Sequence, residues 1–335
     1  MVRIMKKNSG IRICISFLVV VGLLCGTFLW AINTGSIKVS GMELLRGLFV
    51  EYDSRVATIY DLRFPRIIIS MLIGSALAVS GVLFQAVLKN PLTDPGIIGI
   101  SGGASFTAVI ITACFPTLYY GIPVAAFVGG MLAFFLVYSL SWKNGLSPLR
   151  IVLVGVAVSS VFSGLSSCFN SMSGGNLSGV ASIVNGNITM KTWDDVKIVL
   201  CYIPICLLLA YCFAGKCNLL SLEDKTARAI GINVNRTRIS ISLVAVMLAS
   251  ISTAVAGIIS FVGLIVPHMA RNLVGNNHKV LMPFSMLLGA FTFLLADTVG
   301  RTIAAPYEVN ASIIMAVVGG PCFILLLRRR SSYGS

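Results

Sequence analysis

Phe261-Val-Gly-Leu-Ile-Val-Pro-His-Met-Ala-Arg271 ends a long apolar run with a proline, a histidine and an arginine. Gly275-Asn-Asn-His-Lys279 follows, and then a second long apolar run begins. An apolar segment of this kind either crosses a bilayer or stops at a turn. This one predicts a membrane helix that leaves on a basic side, turns and re-enters. Outward from it, apolar runs separated by short polar turns repeat along most of the chain.

Composition decides the solvent. Of the 335 residues, 57% are hydrophobic and 11% are charged, and the mean hydropathy is +0.95. Soluble domains carry roughly 25% charged residues. A water-soluble fold would have nowhere to hide this much apolar surface, so lipid must surround most of the chain. The fold class is all-α, a polytopic membrane protein. Outer-membrane strands are excluded, because they alternate polarity over about 10 residues and these runs do not alternate. The nine cysteines sit mostly inside apolar runs, without C-x-x-C or zinc spacing. They read as small core residues, and no metal site is expected.

Runs able to cross about 30 Å of hydrocarbon fall near 12–32, 66–87, 98–115, 121–141, 150–170, 197–214, 239–256, 257–272, 281–301 and 311–327. That predicts ten transmembrane helices in a single transmembrane domain, 1–335. The pair 239–256 and 257–272 is the least regular, because Gly257 and Gly263 interrupt it. Residues 1–12 are basic and 13–30 apolar. The apolar part is too long for a secretory leader and lacks a small-x-small cleavage site, so it reads as a retained first helix.

Charge orients the bundle. With ten spans, 17 of the 25 Lys and Arg fall on the face that holds both termini, together with 3 of the 11 acidic residues. The whole net charge of +14 therefore lies on one face, which the positive-inside rule makes cytoplasmic. The basic excess is a topology signal and requires no nucleic acid.

Several polar segments carry more than span information. In Leu62-Arg-Phe-Pro-Arg66, two arginines bracket a proline at the outer mouth of the second span. Arg63 and Arg66 either anchor the interface by snorkelling or dock a carboxylate-bearing partner through their two-pronged forks. Gly74, Ser75, Ala78 and Gly81 let helices approach closely. Gln85 follows, packing on a neighbour or facing a path. Lys89-Asn-Pro-Leu-Thr-Asp-Pro-Gly96 carries two prolines and cannot be a regular helix. It reads as a tight cytoplasmic turn, either a plain connection or one bordering a translocation path.

The inner loop 219–231 predicts a short helix with Ser221 as cap, Asp224 three residues later and Gly231 as stop. It would expose Glu223, Asp224, Lys225 and Arg228, with Ala227 and Ile230 as an apolar edge. Such a helix meets a partner or lies on lipid headgroups. Asp297 and Arg301 stand four apart and can pair. Gly319-Gly-Pro321 predicts a kink in the last span.

Catalytic chemistry has no visible seat. No phosphate-binding loop, H-E-x-x-H or G-x-S-x-G occurs. His268 and His278 have no clustered partners, and no cofactor is expected. A carrier driven by an ion gradient, the alternative of a different class, needs membrane-buried acids; only Asp297 approaches that description. The chain reads as a path without its own energy source.

These blocks together resemble the FecCD-type permease subunits of bacterial ATP-driven (ABC) importers for iron–siderophore complexes, haem and vitamin B12. The matching segments are Leu62-Arg-Phe-Pro-Arg66, Asn90-Pro-Leu-Thr-Asp-Pro95 with Ser101-Gly-Gly-Ala104, and 222–231. Further along come Phe261-Val-Gly-Leu-Ile-Val-Pro-His268 with Arg271, then Ala296-Asp297 with Arg301, and Gly319-Gly-Pro-Cys-Phe323. The resemblance implies a multi-pass protein of the bacterial cytoplasmic membrane, ten helices with cytoplasmic N- and C-termini, and a homo- or heterodimer of permeases around the path. It implies cytoplasmic ATP-binding subunits that hydrolyse ATP in the permease's place, and an extracytoplasmic solute-binding protein. By the same resemblance Arg63, Arg66 and Arg301 dock the binding protein. Ser221, Leu222, Glu223, Asp224, Ala227, Arg228 and Gly231 belong to the coupling helix that meets the ATPase. Asn90 and Leu92, with Gln85 nearby, close the inner end of the path. An iron–siderophore complex is the expected cargo, with haem or cobalamin as alternatives.

Overall fold

The computed structural model describes residues 2–34, 43, 53–141, 148–172, 180 and 183–331. Ser147, residues 173–179 of the outer connection and the side chains of Arg3, Lys6, Lys7 and Arg328, Arg329 and Arg330 lie outside that description. Among the described residues every regular element is helical. The order is α1 (Val2–Asn33), α2 (Ser54–Leu62), α3 (Phe64–Val87), α4 (Ile100–Cys114), a 3-10 turn (Pro116–Gly121), α5 (Ile122–Ser141) and α6 (Pro148–Met172). Then come α7 (Trp193–Cys212), α8 (Ala214–Leu220), α9 (Asp224–Ala229), α10 (Val234–Ala256), α11 (Val262–Val274), α12 (His278–Ile303) and α13 (Ala311–Ser331).

Seven helical segments are long and apolar enough to cross a membrane: Gly10–Asn33, Val56–Val87, Pro116–Ser141, Leu149–Met172, Trp193–Cys212, Val234–Ala256 and His278–Ile303. Two of the other three predicted spans form shorter helices, α4 with 15 residues and α11 with 13, about 20 Å each at 1.5 Å per residue; α13 has 21 residues. The irregularity expected around Gly257 is a true break. α10 ends at Ala256, Gly257 has φ 75°, and α11 starts only after Phe261 at φ 70°. A left-handed phenylalanine is uncommon. Its ring is seated against Gly319, where a Cβ would lie 2.6 Å from Phe261 side-chain atoms. Gly319 and Gly320 thus lie in α13, which runs on through Pro321 as one element.

α3 is the central helix, packed against α12, α10, α11 and α7. Its small residues make this possible. A Cβ on Gly74 would collide with the carbonyl of Gly289 in α12, and one on Gly81 with the carbonyl of Gly263 in α11. Hydroxyls stitch the same contacts: Ser75 donates to the Met286 carbonyl at 2.8 Å and Ser80 to that of Ala245 at 2.7 Å. In lipid, close packing and such bonds replace the hydrophobic drive that holds soluble bundles. α4 and α5 pack as a second pair, joined at Gly103 and Gly129. α6 rests on that pair and leaves much of its surface uncovered, including Leu149, Leu153, Val156, Val161 and Leu165. α2 was not anticipated: nine residues of the outer connection form a helix that leads almost directly into α3. Tyr60 on it stacks on Trp193 with centroids 4.6 Å apart.

Candidate functional site

The polar residues gather at the two ends of the bundle. At one end, Arg63, Arg66 and Arg301 converge where α1 ends, α3 begins and α12 ends. Arg66 grips Asp297 through Nε and Nη2 at 2.8–3.0 Å, and its Nη1 meets Glu308 at 2.7 Å. The Asp297 carboxylate is fully buried and the Arg66 side chain is 5% exposed. Asp297 thus pairs with Arg66 across the bundle as well as standing four residues from Arg301 on its own helix. Arg63 donates to the Ile32 carbonyl. Arg301 donates to the carbonyls of Ala31 at 3.3 Å and Thr34 at 3.0 Å. These carbonyls lie at the C-terminal end of α1, where helix carbonyls lack intrahelical partners and the dipole favours cations. Glu308 sits in the connection after α12, where Thr189 also donates to it at 3.3 Å. Burial opposes its charge, yet the Arg66 hydrogen bond and charge hold its carboxyl below the ordinary glutamate range.

At the opposite end, the turn between α3 and α4 combines backbone turns, such as the Ile98 N–H on the Asp94 carbonyl at 3.0 Å, with side chain to backbone bonds. The Asn90 carbonyl oxygen of the side chain accepts from the Leu92 N–H at 3.0 Å, leaving both residues half-buried. Gln85 is 4% exposed. Its Nε2 donates to the carbonyls of Thr93 and Gly263 at 3.3 and 3.2 Å, and its Oε1 accepts from Arg271. Gln85 therefore braces the turn against α11 from inside the subunit, as in the packing alternative of the two that the sequence leaves open. Asp94, which the sequence reading passed over, is 1% exposed. Burial pushes its carboxyl up to about 7, against the N–H groups of Gly96, Ile97 and Gly263, which favour its charge. The only sequence signal for it was an acid held between two prolines. Ser159 of α6 donates to the Gly96 carbonyl at 3.2 Å. Beside this junction a cavity of about 300 Å³ opens among Gly96, Ile97, Ser159, Ser163, Ser260 and Phe261.

The cytoplasmic helix predicted for 221–231 is shorter and starts later. α9 spans Asp224–Ala229 with Glu223 as its N-cap residue. Ser221 does not cap it. It closes α8 instead, donating to the Cys217 carbonyl at 3.3 Å, because two residues still separate it from the helix start. Gly231 does end the element, at φ 86°, with its N–H on the Arg228 carbonyl at 3.0 Å. Ala227 is 1% exposed and packs inward, so it offers no apolar edge to a partner. Leu222 and Ile230, at 41% and 55%, are the exposed apolar residues there. Asp224 accepts from Lys89 at 2.9 Å and from Arg238 at 3.0 Å. The Lys89 hydrogen bond and the Arg238 charge hold its carboxyl below the usual aspartate range despite some burial. Among the described residues no group of three His, Cys, Asp or Glu is placed to hold a metal ion.

Among the described residues, an all-helical bundle with seven membrane-length helices and polar clusters at its ends defines a multi-pass membrane protein. The chain belongs to the FecCD transport family, whose pattern matches residues 23–329. Proteins of Staphylococcus aureus strains MSSA476 and Newman, each described as a probable heme-iron transport system permease protein IsdF, are 39% identical over 311 residues. The match covers 93% of this chain and 94% of each relative. A solved structure described as an inward-facing conformation of a putative metal-chelate type ABC transporter is 30% identical, with a TM-score of 0.78, covering 94% of this chain and 99% of that one. PsaBC of Streptococcus pneumoniae in complex with Fab shares the fold at 18% identity and TM-score 0.58, over 85% of this chain and 94% of that one. The chain is a permease subunit of an ABC importer, a multi-pass protein of the bacterial cytoplasmic membrane. Membership implies ATPase and substrate-binding partners and a second permease subunit.

Proposed function

We propose that this permease delivers an iron chelate across the cytoplasmic membrane, along a path that α6 shares with a second permease subunit. The supporting observation is the uncovered face of α6, where exposed Val156, Ser160 and Ser163 border the hydroxyl-lined cavity next to the inner turn. Two exposed serines beside that cavity suit a path for a polar chelate better than a purely lipid-facing surface. Haem is the cargo favoured by the name of the S. aureus relatives; a ferric siderophore, expected from the sequence, is the second reading. The test is uptake into vesicles holding the permease, its ATPase and its binding protein. Labelled haem and labelled ferric siderophores are offered separately, with and without ATP. Uptake of neither refutes the reading.

The finer assignments follow the same scheme. Ten spans with both termini cytoplasmic fit the 17-to-8 division of Lys and Arg, with α4 and α11 as the short spans and α13 as the last; thiol labelling from either side tests it. Arg63, Arg66 and Arg301 form the positive spot that draws carboxylates of the binding protein, supported by their convergence; half-buried Arg301 is the contact within reach, and buried Arg63 and Arg66 lend charge from behind it. Glu308 then occupies part of Arg66 while the partner is away. Leu222 and Ile230, flanked by Glu223 and Arg228, meet the ATPase. Asn90 and Leu92 close the inner end of the path, with Gln85 and Asp94 holding them in place.

A further inference from the structure

We propose that the Lys89–Asp224 ion pair is the joint through which movement of the cytoplasmic helix α9 reaches the inner turn at Asn90 and Leu92. The proposal rests on the reading of α9 as the element that meets the ATPase.

Lys89 is the second residue past the end of α3, just after the C-cap Leu88, and stands at φ 49°, a left-handed conformation that a residue with a side chain rarely adopts without something to hold it. What holds it is α9. The Lys89 ammonium donates to the Leu222 carbonyl at 2.5 Å and to Asp224 at 2.9 Å. Asp224 opens α9, and Arg238 in the second turn of α10 shares the same carboxylate oxygen at 3.0 Å. One carboxylate therefore ties three separate segments together. Lys89 is also the immediate neighbour of Asn90.

The turn beyond Lys89 is stiff, so a pull at its near end is delivered rather than absorbed. Asn90 closes on Leu92 and on the Thr93 N–H, Gln85 holds the Thr93 carbonyl, and two prolines remove backbone freedom. Its far end is fixed. Asp94 gathers the N–H groups of Gly96 and Gly263, and Ser159 holds the Gly96 carbonyl. A rigid piece anchored at one end and attached to a mobile helix at the other pivots when that helix moves. This is a physical connection between two sites, made of named contacts rather than of proximity.

The pair is open to solvent, with 35% of the Lys89 side chain and 37% of that of Asp224 exposed. Exposed pairs add little to folding stability. A structural role and a transmitting role therefore separate cleanly. The measurement is cargo moved per ATP hydrolysed by the complete complex in vesicles, alongside assembly and melting temperature. Lys89→Met should assemble and melt like the wild type, while the ratio falls about fivefold or more. Lys89→Arg should restore most of it. Asp224→Asn also removes the Arg238 pair, so Lys89→Met is the variant that isolates the joint. A wild-type ratio in Lys89→Met overturns it. Failure of Lys89→Met to assemble also overturns it, by assigning the pair to the fold. Absence of ATP-driven uptake by the wild-type complex overturns the importer reading instead, and the joint with it.

Discussion

Removing Asp297 while leaving Arg66 in place should be among the most damaging single changes in the outer half of the bundle. Arg66 is 5% exposed, and three of its contacts, at 2.8–3.0 Å, go to a carboxylate with no exposure at all. Breaking one side of a buried pair strands the other charge and costs about 3–5 kcal/mol, whereas replacing both by apolar groups is often close to neutral. Glu308 stays within 2.7 Å of Arg66 but is 37% exposed, so it offsets only part of the loss. Asp297→Asn should therefore fall near 3 kcal/mol, and Arg66→Met near the upper end of that range. At about 2 °C per kcal/mol for a chain of this size, the melting temperature in detergent should drop by about 6–10 °C in either single variant. The double variant Arg66→Met with Asp297→Leu should melt within about 3 °C of the wild type. Melting is followed by loss of the monodisperse peak in fluorescence-detected gel filtration after heating. Simple addition of the two single losses in the double variant would refute the account, because non-additivity is the signature of one shared interaction.

Three further outcomes are expected. Gly263→Ala places a Cβ 2.6 Å from the Asp94 carboxylate and 3.0 Å from the Leu77 carbonyl; it should destabilise the protein by about 1–3 kcal/mol, measured by the same melting assay. Asp94 binds its proton more tightly folded, with its carboxyl raised from 3.8 to about 7 by burial. Its contribution to stability is full below about pH 4 and is lost as pH rises to about 7, so wild-type protein should melt higher at pH 5 than at pH 8 and Asp94→Asn should shrink that difference. Leu222→Asp and Ile230→Asp, at exposed apolar positions next to α9, should lower co-purification of the ATPase without changing the melting temperature; intact co-purification would remove these residues from the interface.

The membrane nature of the fold was legible because composition leaves no other solvent, and the close-packing face of α3 was legible because Gly74, Ser75, Ala78 and Gly81 recur at helical spacing. The convergence of Arg63, Arg66 and Arg301 could be anticipated only through family likeness; nothing in local spacing says that residues 66 and 297 touch. The misplaced cap at Ser221 shows the limit of motif reading, since Ser-x-x-Asp fits the pattern while a preceding helix, α8, had already claimed the serine. Ala227 looked like part of an apolar edge because its outward neighbours are charged, but which side of a six-residue helix is covered depends on α8 and α10, which both touch it. Gln85 and Asp94 are polar residues that a sequence places at an inner mouth; only the packed turn shows that their bonds point into the subunit. The short length of α11 follows from Gly257 and Phe261, and a phenylalanine at positive φ has no sequence signature.

The partner of Arg66 is made late. Asp297 lies 231 residues further along the chain, and at roughly 5–20 residues per second its synthesis trails by roughly 12–46 s. Through that interval the guanidinium must wait near the lipid headgroups, and the end of α1 waits for Arg301 as well. The nascent bundle is thus left unlatched until almost its last helix is inserted. A chain stopped short of that point would expose cationic, half-assembled helices to the proteases that survey the membrane, so completion of the polypeptide and its escape from degradation become a single event.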